Sequence, residues 1–484
     1  MHKHFVANIV SRICLIVCLA MTLPLGWAAF DDVHSRETNA FIVSILSGII
    51  ISSACLLFFR LKKEDYKRIN AKDGLAIVGL SWLAISVCGA LPIYLSGVVP
   101  SFTDALFEIV SGYTTTGASI FTDVEVLPRG VLFWRSFSQW LGGMGVIVLF
   151  IAILPALGAN TAQLYQSETS GISFDKLEPR IKETARYLWG IYVVLTAAQV
   201  ILLVVGKMPL FDALCHAFSS IATGGFSTKN MSVGAYSAYI QWIVIIFMFL
   251  GGTNFALHYE AMRGKFKSYV RDEEFKFYLY LIVILTAVAA WNLRNENLTE
   301  SPLRDAAFSF VSIFSSTGFA TADFDQWPDF LRMLLLMGMV TGACAGSTSG
   351  GLKLVRLYLT GKLAGASIVQ ASYPNAVVPL RLNGHALESK IIMGVLAYFV
   401  IYLHIWIIGA ILFAFLEACD MPTAFSAAAA CLSNVGPGLN AVGPMRNFAW
   451  VSDQGKWLLT FLMLVGRLEL YSILILLVPA TWRK

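Results

Sequence analysis

The chain has 484 residues, 57% of them hydrophobic and 13% charged, with a mean hydropathy of +0.70. Such a chain cannot bury its apolar surface inside a water-soluble globule and belongs in a bilayer. The net charge of +5 is small for the length and no basic stripe interleaves with aromatics, so a nucleic-acid partner is excluded.

Apolar runs of the ~20 residues needed to cross a bilayer fall at about 5–30, 40–60, 74–98, 127–157, 184–206, 236–258, 274–293, 328–360, 390–418 and 456–480. The first follows basic residues, and Ala28-Ala29 resembles a signal-peptidase site. Its length and the apolar run that follows at once predict an uncleaved span. If ten spans alternate, Arg60, Lys62, Lys63, Lys67, Arg68, Lys72, Arg180, Lys182, Arg186, Arg263, Lys265, Lys267, Arg271, Lys276, Lys353, Arg356, Lys362, Arg483 and Lys484 all share one side. That side is expected to be cytoplasmic, with both termini on it. The opposite loops carry Asp31, Asp32, Asp123, Glu125, Asp323 and Asp325, a mild negative field that favours arriving cations. Segments 158–183 and 361–389 are expected as cytoplasmic connectors. The basic loops 60–72 and 263–276 suit a cytosolic partner or, more simply, anionic membrane lipid. Eight cysteines lie mostly in apolar runs without paired or metal-like spacing and read as small buried hydrophobes.

Between the third and fourth, fifth and sixth, seventh and eighth, and ninth and tenth spans lie TDALFEIVSGYTTTGAS (103–119), FDALCHAFSSIATGGFS (211–227), RDAAFSFVSIFSSTGFA (304–320) and PTAFSAAAACLSNVGPG (422–438). Asp104 to Gly117, Asp212 to Gly225, Asp305 to Gly318 and Thr423 to Gly436 are each thirteen residues apart. Each segment is too short to cross, so it must enter and leave by one face. The fold class is therefore an all-α polytopic membrane protein with ten transmembrane helices and four re-entrant pore helices, pseudo-fourfold around one pore. Its units are 1–72 (two leading spans), 73–158, 159–265, 266–362 and 363–484 (the four pore units). A single small-residue turn between membrane helices is ordinarily a packing device. Four at one offset on one face point instead to a ring of carbonyls that replaces water around a cation.

The predicted ion contacts are Thr115, Thr116 and Gly117; Thr223, Gly224 and Gly225; Ser316, Thr317 and Gly318; and Asn434, Val435 and Gly436. No turn carries an acid, so backbone oxygens are expected to do the binding, with hydroxyls or Asn434 supporting the loops. Gly224 rivals Gly225, but the ungapped spacing and the match of Phe226 to Phe319 favour Gly225. Val435 and Pro437 make the fourth turn the most divergent.

The eighth span is interrupted by Gly342, Ala343, Cys344, Ala345, Gly346, Ser347, Thr348, Ser349, Gly350 and Gly351. Irregular backbone at this depth survives only against protein or a water-filled cavity, which predicts a loop obstructing the pore. A phosphate-loop reading fails, because Leu352 intervenes before Lys353 and no Ser or Thr follows it. Arg467 in the last span needs a cavity or a polar partner; Glu469, two residues on, lies on another face. Asn254, His258, Gln139 and Trp140 are expected to pack in the core. Glu108 either tunes the external mouth or bonds neighbouring amides, and Lys229 lies near the entrance, by default a solvated loop residue and otherwise a cation-repelling boundary.

The strings TTTGAS, ATGGFS, SSTGFAT and SNVGPGL resemble the filters of the TrkH/TrkG/KtrB/HKT group of potassium transporters, over essentially the whole chain. The two leading spans resemble the TrkH branch. The resemblance implies Gly117, Gly225, Gly318 and Gly436 as filter glycines, the eighth-span loop as a gate, and Arg467 as a positive charge touching that loop and opposing ion passage. It also implies a homodimer seated on a cytosolic nucleotide-binding regulatory subunit of the TrkA type. The expected function is channel-like potassium uptake across the bacterial inner membrane, with K+ as cargo, no bound organic cofactor and no enzymatic activity. A proton- or sodium-coupled potassium symporter is the alternative. It predicts inverted repeats and intramembrane acids, whereas these repeats run in one orientation and Glu469 is the only obvious acid. A scaffold without transport leaves the four turns unexplained.

Overall fold

The computed structural model describes residues 3–60, 71–153, 181–296 and 298–468, with Leu470 and Ile473. The protein is an all-helical multi-span membrane protein, apart from a two-residue-per-strand antiparallel ribbon, Arg381–Leu382 with His385–Ala386. Among the described residues, six apolar helical segments are long enough to cross: Lys3–Asp31, Arg36–Phe58, Ala76–Ser96, Arg186–Val205, Glu273–Asn295 and Ser389–Glu417. The other four expected spans are Arg129–Ile153, the pair Ala238–Gly251 and Phe255–Met262, the interrupted Asp329–Thr341 and Leu354–Ser372, and Asp453–Arg467. Outward-facing Ile16, Ile50, Phe58, Val283, Trp291 and Phe415 are strongly exposed on these helices, as residues that meet lipid must be.

Three segments depart from the expected pattern. The sixth span bends by 100° at its break, because Gly251 and Gly252 end one helix and Asn254 starts the next, its Oδ1 accepting the Ala256 N–H at 2.9 Å. The eighth span is broken as expected, but the irregular stretch runs on through Lys353. The connector expected at 361–389 is helical as far as Ser372 and then forms the ribbon. Of the other connector, 158–183, residues 158–180 lie outside the described residues.

The four short helices are Phe102–Tyr113, Leu210–Ile221, Pro302–Phe314 and Met421–Leu432. At 1.5 Å per residue each is about 18 to 20 Å long, well under the bilayer core. Their starts are marked in the sequence. Ser101 caps the first through the Asp104 N–H and Asp420 caps the fourth through the Thr423 N–H, while Pro302 opens the third. Asp104, Asp212 and Asp305 occupy first turns, where the helix dipole favours negative charge.

Packing around these helices is cyclic. The fourth span lies on the first and second short helices and the sixth on the second and third. The eighth lies on the third and fourth, and the tenth on the fourth and first. The ring closes where Lys456 of the tenth span meets Asp104 of the first short helix at 2.7 Å, both buried. Removing one partner of such a pair strands a buried charge at a cost of about 3–5 kcal/mol. Lys456→Met is therefore expected to lower the melting temperature in detergent, and Asp104→Asn in the same chain to recover much of the loss. Equal melting of the single variant and wild type would contradict this closure.

Candidate functional site

All four short helices end alike. In the first, the Thr115 N–H bonds the Gly112 carbonyl (2.9 Å) and the Thr116 N–H reaches back to Ser111 (2.8 Å). This pair of backward bonds stops a helix at a left-handed residue. Thr223 and Gly224, Ser316 and Thr317, and Asn434 and Val435 repeat the pattern. The left-handed residues are Thr115 (φ 54°), Thr223 (φ 54°), Ser316 (φ 55°) and Asn434 (φ 56°). Two residues on, Gly117 (φ 84°), Gly225 (φ 80°), Gly318 (φ 81°) and Gly436 (φ 97°) are left-handed again. Gly225, not Gly224, is thus the structural equivalent of the other three, and the divergent fourth turn has the same backbone.

The turns converge on one axis. A Cβ on Gly117 would overlap the Gly224 carbonyl oxygen; on Gly225, that of Thr317; on Gly318, that of Val435; and on Gly436, that of Thr116. Unit one leans on two, two on three, three on four, and four on one. Only glycine fits, because a side chain would both strain the left-handed backbone and strike the neighbouring repeat. Above the glycines opens a cavity of ≈ 170 Å³ with Gly117, Gly225, Gly318 and Gly436 among its lining, Lys229 and Arg446 at its walls. Lys229 lies near this entrance, paired with Glu125 at 3.2 Å.

Supports behind the turns differ between units. Thr114 and Thr116 hydroxyls pair at 2.7 Å, as do those of Ser315 and Thr317. Asn434 Nδ2 donates to Thr116 Oγ1 (3.0 Å) and the Met463 carbonyl (2.9 Å), tying the fourth turn to the first. Glu108 bonds the Ile120 amide (2.9 Å) and pairs with Arg135 (2.7 Å), whose guanidinium sits 4.2 Å from the centre of the Phe226 ring. Glu108 thereby takes the amide-bonding role. Arg135 was not singled out in the sequence, although an arginine inside the apolar run FWRSFSQW signals a buried partner. Gln139 does more than pack: its side chain bonds the second turn. Trp140 packs as expected, and His258 is held by Tyr269 Oη (2.6 Å) and the Leu250 carbonyl (2.9 Å).

Directly beneath the turns lies the eighth-span loop. Ser316 Oγ accepts the Gly350 N–H (2.7 Å) and donates to Ser349 Oγ (3.0 Å), while Thr223 Oγ1 donates to Thr348 Oγ1 (3.2 Å). Gly350 is pressed against Ser433 and Asn434. The loop's backbone bonds the bend of the sixth span, with the Cys344 N–H on the Gly252 carbonyl and the Phe255 N–H on that of Gly346, both 3.1 Å. Glu274 Oε1, which the sequence did not flag, accepts both the Ala345 (2.7 Å) and Val355 (3.0 Å) N–H groups and so ties the loop to the first turn of the helix that follows it. Arg467 reaches the loop from the other side, donating to the Thr348 carbonyl (2.7 Å) and that of Gly142 (3.2 Å). Among the described residues, Thr115 Oγ1, Asn434 Oδ1 and Arg467 Nε are buried here without hydrogen-bond partners. Glu469 lies outside the described residues.

Two leading spans and four helix, re-entrant helix, turn and helix units around one axis define a multi-span membrane transport protein. Residues 37–484 match the family model described as TrkH, cation transport protein. The chain belongs to this family. It is 37% identical to the Trk system potassium uptake protein TrkH of Salmonella typhimurium, covering all of both chains, and 34% identical to the TrkG protein of Escherichia coli K12 over 100% of this chain and 99% of that one. Its fold matches the crystal structure of the potassium transporter TrkH from Vibrio parahaemolyticus with a TM-score of 0.89, at 34% identity and complete coverage of both.

Alanine at Gly318 must adopt left-handed backbone, at about 1–2 kcal/mol, and also displace the Val435 carbonyl. Gly190, in the fifth span, has open space around it. Gly318→Ala is expected to lower the melting temperature and Gly190→Ala to leave it unchanged, measured side by side in one detergent.

Proposed function

We propose that this protein is the ion-translocating, channel-like subunit of a Trk-type potassium uptake system in a bacterial inner membrane, both termini cytoplasmic. The observation that carries the reading is the cyclic contact of four glycine turns with four carbonyls. A potassium ion that sheds water at the cavity meets peptide oxygens of Thr115–Gly117, Thr223–Gly225, Ser316–Gly318 and Asn434–Gly436, whose dipoles replace hydration without the tight grip of carboxylates. Short-helix carboxyl ends add partial negative charge from four directions. The loop at 342–351 obstructs the path below, and Arg467, bonded to it, opposes a cation until the loop moves. The names of the full-length relatives support potassium as cargo and a multi-component system. Within such a system a homodimer of this chain would rest on a cytosolic nucleotide-binding subunit of the TrkA type, which supplies the gating signal.

Tracer potassium flux in liposomes tests this reading. Downhill flux without a coupled ion is expected; an absolute need for sodium or a proton gradient would favour the symporter instead. Gly318→Ser is expected to admit sodium or block flux in folded protein, and an unchanged potassium preference would remove the filter assignment. Deleting 343–350 is expected to raise basal conductance. Unaltered or lower conductance in a folded deletion would remove the gate.

A further inference from the structure

The second turn is built unlike its counterparts. In units one and three, the residue before the filter glycine is a threonine, Thr116 or Thr317, whose hydroxyl pairs with that of Thr114 or Ser315 behind the backbone. The fourth turn carries Val435 there, with Ser433 bonded to Tyr402 Oη at 2.5 Å. Unit two has Ala222 and Gly224 at these places, with neither a side chain before the glycine nor a hydroxyl to pair with it. Gly224 also lacks the left-handed φ that would call for glycine. Its small size therefore answers to space and not to backbone conformation.

Gln139 of the fourth span fills that space. Its Nε2 donates to the Gly224 carbonyl at 2.6 Å and its Oε1 accepts the Phe226 N–H at 3.1 Å, so one planar amide holds the turn on either side of Gly225. A Cβ on Gly224 would collide with this amide group and with nothing nearer. The carbonyl so held belongs to the ring, since it is the oxygen that faces Gly117. Among the described residues, the matching oxygens of Thr116, Thr317 and Val435 accept no hydrogen bond. A carbonyl oxygen has two lone pairs, so the amide fixes this one's direction and leaves it a second acceptor site.

We propose that Gln139 is a selectivity-positioning residue: its amide supplies, from the fourth span, the backing side chain that the second turn lacks at Gly224. The inference rests on the filter reading above and adds a residue outside the four turns to what sets ion preference. Residue 139 and residue 224 are then alternatives for one space, and each must be chosen with the other.

The test is the potassium-to-sodium permeability ratio of the full-length protein in liposomes, with folded protein quantified in each preparation. Gln139→Leu keeps the volume and deletes both hydrogen bonds; the ratio is expected to fall roughly fivefold or more, the scale of one lost neutral hydrogen bond. Gly224→Thr alone, driven against the amide, is expected to lose selective flux. Gln139→Ala with Gly224→Thr, which puts the third turn's threonine into the vacated space, is expected to regain much of the ratio. An unchanged ratio in Gln139→Leu, or a pair no better than Gly224→Thr alone, overturns the proposal. If Gln139→Leu yields no folded protein, the pair decides alone. Gly318→Ser in the same assay separates the two levels: a changed ratio there beside an unchanged one in Gln139→Leu removes only the role of Gln139, and unchanged ratios in both remove the filter.

Discussion

Four peptide oxygens, each packed against the α-carbon of a glycine in another repeat, hold the centre of this protein together. The contact leaves no room for a Cβ at Gly117, Gly225, Gly318 or Gly436. It also demands that each chain arrive with the same left-handed turn two residues earlier, which the shared helix endings provide. A ring of this kind tolerates no freedom in any one member, because a shift of one turn moves the oxygen on which its neighbour rests. The cyclic packing of the inner spans on consecutive short helices is the scaffold that keeps the ring closed.

Outside the ring, buried charges act as ties. Glu108 with Arg135 joins two consecutive helices, while Asp104 with Lys456 and Arg467 with backbone carbonyls join elements far apart in the chain. A charge at this depth without a partner is costly, so these residues link their helices in one arrangement only. The ties lie behind the turns, at the ring closure and below the turns, while no acid lines the turns themselves. The same logic extends to uncharged groups. Hydroxyl pairs back the first and third turns, Asn434 bridges the fourth to the first, and an amide from the fourth span backs the second.

Among the described residues, the sixth and eighth spans are broken, and the breaks meet. The bend at Gly251–Asn254 exposes carbonyls of Gly251 and Gly252, and the loop after Thr341 brings amides of Thr348 and Cys344 to them. Glu274 takes two further amides, one from the loop and one from the helix that follows it. Irregular backbone can persist at membrane depth because each interruption satisfies the other.

The spans, the four re-entrant segments and the register of their glycines were legible in the amino-acid sequence, because each depends on local chemistry: apolar length, capping residues and a thirteen-residue spacing. The interruption at 342–351 was legible for the same reason, since glycine and hydroxyl residues weaken a helix wherever they stand. The right-angle bend of the sixth span was hidden in two glycines that a run of apolar residues made unremarkable. The helical course of residues 361–372 was hidden by the polar composition of its surroundings. Arg135, Glu274 and Lys456 stood in the sequence as charges without visible partners, and Gln139 as one more polar residue in a core. Their roles depend on atoms 27 to 352 positions away along the chain. A short-range pattern can fix where a turn forms and which residue can make it. Which oxygen that turn rests on, and which distant side chain backs it, is decided only when the repeats close on one another.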